Sequence, residues 1–354
     1  MKRLIICCDG TWNSADQRQG TTPCPTNVVN VAFRTANRDG ATLQLTYYDQ
    51  GVGTGNILDR LTGGAFGSGL EDNMHDAYRF LMANYELGDE LFLFGFSRGA
   101  FTVRSLAGMI RKCGILRRDA MASYHETLAL YRALSPKPGD PECQRFRAAH
   151  SIAGDNTIPI RFIGVWDTVG SLGIPLRGFR RLTYQDHRFH DTELSGSVQS
   201  AFQALAIDEH RAPFKPTLWC YKPKDGQTIE QAWFAGVHSD VGGGYPDRAL
   251  SDGPLQWLVD RARDCGLAFD RPAGLAYPLR PDAAGVMHSS RRGLYLLTKG
   301  MLRDIGLSND PTGASVTAEP DPTQHLHPSV LERWAAVPTY RPANVAAYRE
   351  RMGV

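Results

Sequence analysis

The sequence predicts an α/β fold with a mostly parallel central sheet and helices on both faces. Short runs that are apolar at nearly every position recur along the chain, as strands buried on both faces require. Helical patterns lie between these runs, the alternation that builds parallel sheets. The composition is ordinary for a globular protein: 354 residues, 42% hydrophobic and 21% charged, with 36 Gly and 21 Pro. That is enough chain for a sizeable core.

The first strand is RLIICC at 3–8 and the next is LQLTYY at 43–48. A helix over 70–86 follows, with Ser68 and Glu71 in capping-box spacing. LFLFGF at 91–96 runs into a helix over 98–113, closed by Arg111 and Lys112 in its last turn and Gly114 beyond. A helix over 122–135 precedes the strand IRFIGVW at 160–166. TLWCY at 217–221 and QAWFAGV at 231–237 complete the strands, and a helix spans 254–265. The stretches 114–158 and 171–200 are polar, rich in Arg and His, and carry no strand pattern. They read as insertions over the sheet edge. The chain is therefore expected to be one domain over 1–354, with a core over 1–250 and a helical C-terminal part over 251–354.

Charge and cysteine usage exclude several classes. A net charge of +2 leaves no basic excess for a dedicated nucleic-acid binder. The seven Cys (Cys7, Cys8, Cys24, Cys113, Cys143, Cys220 and Cys265) are scattered, odd in number and without CxxC or zinc spacing. That pattern reads as reduced thiols in a cytoplasmic protein. The start MKRLIICCDG has too short an apolar run for a signal peptide. No apolar run reaches the ~18 residues of a membrane span. Any export must then proceed without a cleaved signal.

Chemistry enters at LFLFGFSRGA, residues 91–100. A serine on a sharp strand-to-helix turn is held in strained backbone dihedrals that thrust its hydroxyl outward. The positions two before and two after crowd each other, and glycine relieves the clash. Gly95-Phe96-Ser97-Arg98-Gly99 fits this nucleophile elbow, G-x-S-x-G, with a buried strand before it and a helix after it. The helix that follows points its first N–H groups at the place where an oxyanion would develop. Such a serine needs a base, and the base a carboxylate to orient it, in the chain order Ser, acid, His. Asp167, at the end of IRFIGVWD, is the expected acid, with Asp208 and Asp240 as alternatives. His238 follows the last strand-like run, in HSDVGGGYPD, and is the expected base. His325 and His327 are alternatives that precede a helix with no strand leading in. The oxyanion donors are expected from Arg98 N–H and the loop at Gly10 and Thr11, with Asp9 holding that turn.

Four segments then appear in order: CDGTWN, GFSRGA, VWDTVG and GVHSDVGGGY. Together they resemble the α/β-hydrolase domain family that includes the type VI secretion phospholipase effectors of bacteria. The resemblance covers residues 1–250, and more weakly HPSVLERW at 327–334. It implies an α/β-hydrolase-like fold and a serine nucleophile at Ser97, with Asp167 and His238 completing a triad. It also implies hydrolysis of carboxylic esters, among them fatty-acyl esters of phospholipids, without a cofactor. The partner it implies is a lipid or other ester substrate; transient contact with a membrane surface is a separate expectation, read from the Arg-rich strip at 174–184.

Two other readings use the same residues. Asp9, Asp167, His238 and Asp240 near strand ends are a ligand set for a divalent metal in phosphoester hydrolysis, a reading that gives Ser97 and its glycines no part. A non-catalytic binding module is the third. The strip IPLRGFRRLTY at 174–184 interleaves apolar residues with Arg177, Arg180 and Arg181. It reads either as a lipid-facing surface or as a solvated loop.

Overall fold

Strands without a polar face must be covered on both sides, and the helices are distributed accordingly. The computed structural model describes residues 1–51, 65–170, 194–220, 222–270, 278–291, 300–309 and 316–353. In chain order the strands are β1 Lys2–Cys8, β2 Arg18–Gln19, β3 Thr22–Pro23, β4 Arg38–Asp39, β5 Thr42–Asp49, β6 Glu90–Phe96, β7 Ile160–Trp166, β8 Val198–Ala206, β9 Thr228–Phe234, β10 Leu307–Asn309, β11 Val316–Pro320 and β12 Gln324–Leu326. The helices are α1 Asn27–Arg34, α2 Ala65–Asn84, α3 Arg98–Cys113, α4 Tyr124–Arg132, α5 Pro141–His150, α6 His238–Gly242, α7 Asp252–Asp264, α8 Pro328–Ala336 and α9 Ala343–Met352.

Eight strands form one sheet in the order β12-β9-β8-β7-β6-β1-β5-β4. Every pairing in it is parallel except β4 with β5. Side chains of successive residues point to opposite faces. Leu4, Ile6 and Cys8 therefore join Tyr78 and Leu81 of α2 and Val103 and Leu106 of α3 in one core. Ile5 and Cys7 join Val28 of α1 and Leu255 and Leu258 of α7 in the other. A third cluster packs Ile305, Val330, Tyr340 and Val345 onto Leu205 and Trp233. It ties the C-terminal part to the β8–β9 side of the sheet.

The chain leaves β1 for β5 on one side, then returns to β6 on the other and proceeds outward through β7, β8 and β9. The strand order thus reverses between β1 and β6. In open α/β sheets the crevice beyond the strand C-termini at such a point is where ligands bind. Ser97 and the loop after Cys8 border that crevice, because Cys8 pairs with Gly95 in register.

The structure departs from the sequence expectations in four places. TLWCY at 217–221 is no strand: Pro216 and Cys220 sit only in isolated bridges, and Tyr221 lies outside the described residues. Prolines at 213 and 216 withhold ladder donors, and the Gln231 side chain instead bonds both Trp219 N, at 2.9 Å, and Trp219 O, at 3.1 Å. The place beside β9 belongs to β8, whose sequence VQSAFQALA has Gln and Ala where β-branched residues mark a strand. Its buried Gln203 is satisfied by Thr168 Oγ1 at 2.7 Å and Thr217 O at 3.2 Å. β9 ends at Phe234, three residues early. The C-terminal part is not purely helical, since β12 adds a parallel edge strand that includes His325. The Ser68 side chain and the strip at 174–184 lie outside what the structure describes.

The elbow glycines sit where nothing larger fits. A Cβ on Gly95 would lie 2.6 Å from Ala100 Cα, and one on Gly99 would lie 2.1 Å from Cys8 O. Both obstacles are backbone, which cannot swing aside. Gly99→Val should therefore cost at least ~3 kcal/mol, read as a fall in the urea midpoint or loss of soluble protein. A melting temperature within about 2 °C of wild type would contradict this packing.

Candidate active site

Five strand ends converge on one crevice. Phe96 pairs with Trp166, and Trp166 with Ala204, so the residues that follow β6, β7 and β8 emerge side by side. Ser97 is held at φ 56° and ψ −119°, a region costly for a residue with a Cβ. Its N–H donates to Trp166 O at 3.0 Å, and its carbonyl accepts from Phe101 N at 3.3 Å. The Ser97 hydroxyl makes no hydrogen bond among the described residues. Asp167, at φ 40°, and Trp12, at φ 65°, are the other two non-glycine residues with positive φ among those described. All three stand at this edge of the sheet.

Asp167 is fully buried, and its oxygens receive four donors. Oδ1 accepts from Ala206 N at 3.1 Å and Arg303 Nη1 at 2.5 Å. Oδ2 accepts from Arg303 Nη2 at 3.0 Å and lies 2.5 Å from His238 Nδ1. Burial pushes the Asp167 carboxyl up, but the Arg303 charge and the His238 bond overcome it and hold the group well below the usual range. An ionised Asp167 makes Nδ1 the donor, which leaves Nε2 as the acceptor of the neutral ring. His238 opens α6, and its ring lies between Phe96, at 4.6 Å between centroids, and Phe214, at 4.9 Å. Burial lowers the His238 pKa, against the opposing pull of Asp167.

Glu209 meets the His238 backbone. It is fully buried, accepts His238 N at 3.3 Å, and is held by Arg211 at 2.8 and 2.9 Å and by Ser290 Oγ at 2.8 Å. Arg211 keeps its carboxyl ionised despite burial, which alone would raise it.

On the other side of the crevice, the turn after β1 is organised by Asp9. Oδ1 accepts Gly10 N at 2.7 Å, and Oδ2 accepts Thr26 Oγ1 at 2.7 Å and Tyr48 OH at 3.0 Å. Burial pushes the Asp9 carboxyl up to about 6 against these three bonds. The Gly10 N–H is therefore already engaged. Thr11 is buried, and its Oγ1 has no partner among the described atoms. A Cβ built on Gly10 would lie 3.2 Å from Ser97 Cβ, so this turn runs directly against the elbow. Arg98 opens α3, and its guanidinium lies 5.7 Å from the half-exposed Trp12 ring at the mouth.

The alternative candidates have other occupations. Asp240 accepts Val237 N at 3.0 Å and sits 2.6 Å from His288 Nδ1, which stacks on Tyr245. Asp208 accepts Gly236 N at 2.7 Å and Tyr340 OH at 3.1 Å. His325 faces Glu230 at 3.3 Å, and His327 caps α8. Asp9, Asp167, His238 and Asp240 do not gather: no group of three or more His, Cys, Asp or Glu poised for a metal exists among the described residues. The sequence reading missed Arg303, Glu209, Arg211 and Phe214. Arg303 stands in MLRDIG, which has no periodic or motif signal, and only the fold brings it to Asp167.

Residues 2–261 match the family described as type VI secretion system phospholipase effector Tle1-like, catalytic domain. The uncharacterized protein YEL023C of Saccharomyces cerevisiae is 30% identical over 244 residues, which cover 63% of this chain and 33% of that protein. The match thus spans only about a third of that relative's length. Two solved structures share 19% identity with the chain. An uncharacterized protein from Pseudomonas aeruginosa superposes with a TM-score of 0.48, over 77% of this chain and 47% of its own. The Tle1 effector bound to the VgrG spike of the type 6 secretion system superposes with a TM-score of 0.39, over 69% and 51%. No helix among the described residues is long and apolar enough to cross a membrane.

The Asp167 environment yields a stability prediction. Asp167→Asn leaves the Arg303 guanidinium, wholly buried, facing a neutral amide. It should cost ~3–5 kcal/mol in urea unfolding at pH 7. Asp240→Asn faces the partly exposed His288 and should cost less. Equal losses in the two variants would remove the buried charge pair from the account.

Proposed function

The chain belongs to the Tle1-like family of type VI secretion phospholipase effector catalytic domains, and we propose that it is a serine-dependent carboxylic ester hydrolase acting on fatty-acyl esters such as phospholipids. One observation carries the mechanism: the strained Ser97 elbow shares its crevice with an imidazole whose Nδ1 is bound to a buried carboxylate. That is the arrangement a base needs to draw a proton from a serine hydroxyl.

In the proposed reaction, Nε2 of His238 takes the Ser97 proton as Oγ attacks the ester carbonyl. The Ser97–His238 bond forms as the reacting complex assembles, a tightening common when substrate enters. The oxyanion is received by the N–H of Arg98 and by the Thr11 corner, where the unpartnered Oγ1 is a second donor. Each such donor is typically worth ~3 kcal/mol. Gly10 contributes by close approach rather than by its N–H, which Asp9 occupies. The protonated His238 passes its proton to the departing alcohol. It then activates water, which clears the acyl group from Ser97. Asp167 keeps the ring in the reactive tautomer throughout. Trp12, exposed at the mouth, is an apolar surface for an acyl chain or a lipid interface.

The test is release of fatty acid from phospholipid vesicles and of p-nitrophenol from p-nitrophenyl esters of graded chain length. Ser97→Ala should reduce both by at least ~10⁴-fold while melting like the wild type. Undiminished turnover by Ser97→Ala would end the serine mechanism.

The pH dependence has a definite sign. The base acts when neutral, and burial lowers the His238 pKa, so neutral ring persists below the ordinary imidazole value. The acid limb of kcat/KM, which reports the free enzyme, should therefore have its midpoint below about 6.5. A midpoint above about 7 would assign that limb to another group.

A further inference from the structure

Arg303 lies outside the residues that match the catalytic-domain family, yet its side chain is completely buried against Asp167. Its Nη1 lies 2.5 Å from Asp167 Oδ1 and its Nη2 3.0 Å from Oδ2, a two-pronged grip on one carboxylate. The same nitrogens donate to Ala206 O at 2.7 Å and Phe214 O at 2.6 Å. The segment that carries it is seated from both sides. Met301 N donates to His210 O at 2.9 Å, and Asn344 Nδ2 bonds both Arg303 O and Ile207 O at 3.2 Å.

We propose that Arg303 is a positioning residue for ester hydrolysis, through which the C-terminal segment completes the site. It fixes the Asp167 oxygens so that Oδ2 meets His238 Nδ1, and it shares the Asp167 charge so that the ring stays neutral. The proposal rests on the roles given above to Asp167 and His238.

The physical case is the balance of charges around the ring. Asp167 and Glu209 favour the imidazolium, and Arg211 opposes it. Arg303 reaches the ring through Asp167, whose negative charge it compensates at contact distance. Asp240, on the same short helix as His238, is taken by His288. Without Arg303, a buried carboxylate with no countercharge would face the ring and hold it protonated. A planar fork also restricts how Asp167 can turn, which a point charge cannot do. The contacts to Ala206 O and Phe214 O secure the fork, and Phe214 in turn packs its ring against His238. One guanidinium thus sets both the carboxylate and one wall of the imidazole slot.

Two substitutions separate charge from geometry. In a Ser97→Ala background, NMR titration of the His238 ring needs no turnover. Arg303→Met should raise its midpoint by about one pH unit or more, and Arg303→Lys should move it by less than about 0.3. With Ser97 intact, Arg303→Lys should lower kcat on a p-nitrophenyl ester about tenfold or more. KM and the acid limb of kcat/KM should stay in place. Arg303→Met should lower kcat further and move that limb to higher pH. A lower melting temperature with unchanged titration midpoint, kcat and acid limb would assign Arg303 to fold stability and overturn the proposal. If Arg303→Met does not fold, Arg303→Lys decides: kcat within about twofold of wild type overturns it. A wild type that hydrolyses no ester would defeat the functional reading, while the titration would still decide what Arg303 does to the ring.

Discussion

A carboxylate removed from water costs several kcal/mol unless its lone pairs are filled and its charge is met. Asp167 is fully buried at the centre of this molecule's working edge, and much of the surrounding architecture answers that cost. Ala206 N comes from the neighbouring strand, Arg303 from the far C-terminal part, and His238 from the first position of α6, after β9. Remove this carboxylate, and three remote segments lose the point at which they meet.

The parallel sheet is what makes the meeting possible. Parallel strands send all their C-terminal ends to one edge, and the reversal of order between β1 and β6 opens a crevice there. Backbone strain is concentrated at the same edge, at Ser97, Asp167 and Trp12. Strain of this kind persists only where the surroundings over-determine it. Here the surroundings are glycines at van der Waals limits and a dense set of hydrogen bonds.

Much of the fold was legible because fully buried strands are apolar at every position. LFLFGF and IRFIGVW announce themselves, and the elbow follows from glycines at fixed offsets. β8 was not legible, because its interior carries Gln203, satisfied by partners that only the fold supplies. β12 was missed because three residues are too few for a pattern. Among the candidate residues, chain order and strand ends were enough to nominate Ser97, Asp167 and His238. Nothing local nominates Arg303 or Glu209, whose meaning lies in contacts across large sequence separations. The Gly10 N–H looked available in sequence, and its engagement by Asp9 is a matter of loop conformation alone.

The central claim is that ester hydrolysis passes through an acyl group held on Ser97. The most direct measurement is to mix the protein with a fatty-acyl ester, quench within the first turnover and locate any acyl adduct by peptide mass spectrometry. The account predicts an acyl adduct on Ser97 in the wild type and its absence from Ser97→Ala. Product formation at full rate with no acylated peptide, or with the acyl group on another residue, would contradict it.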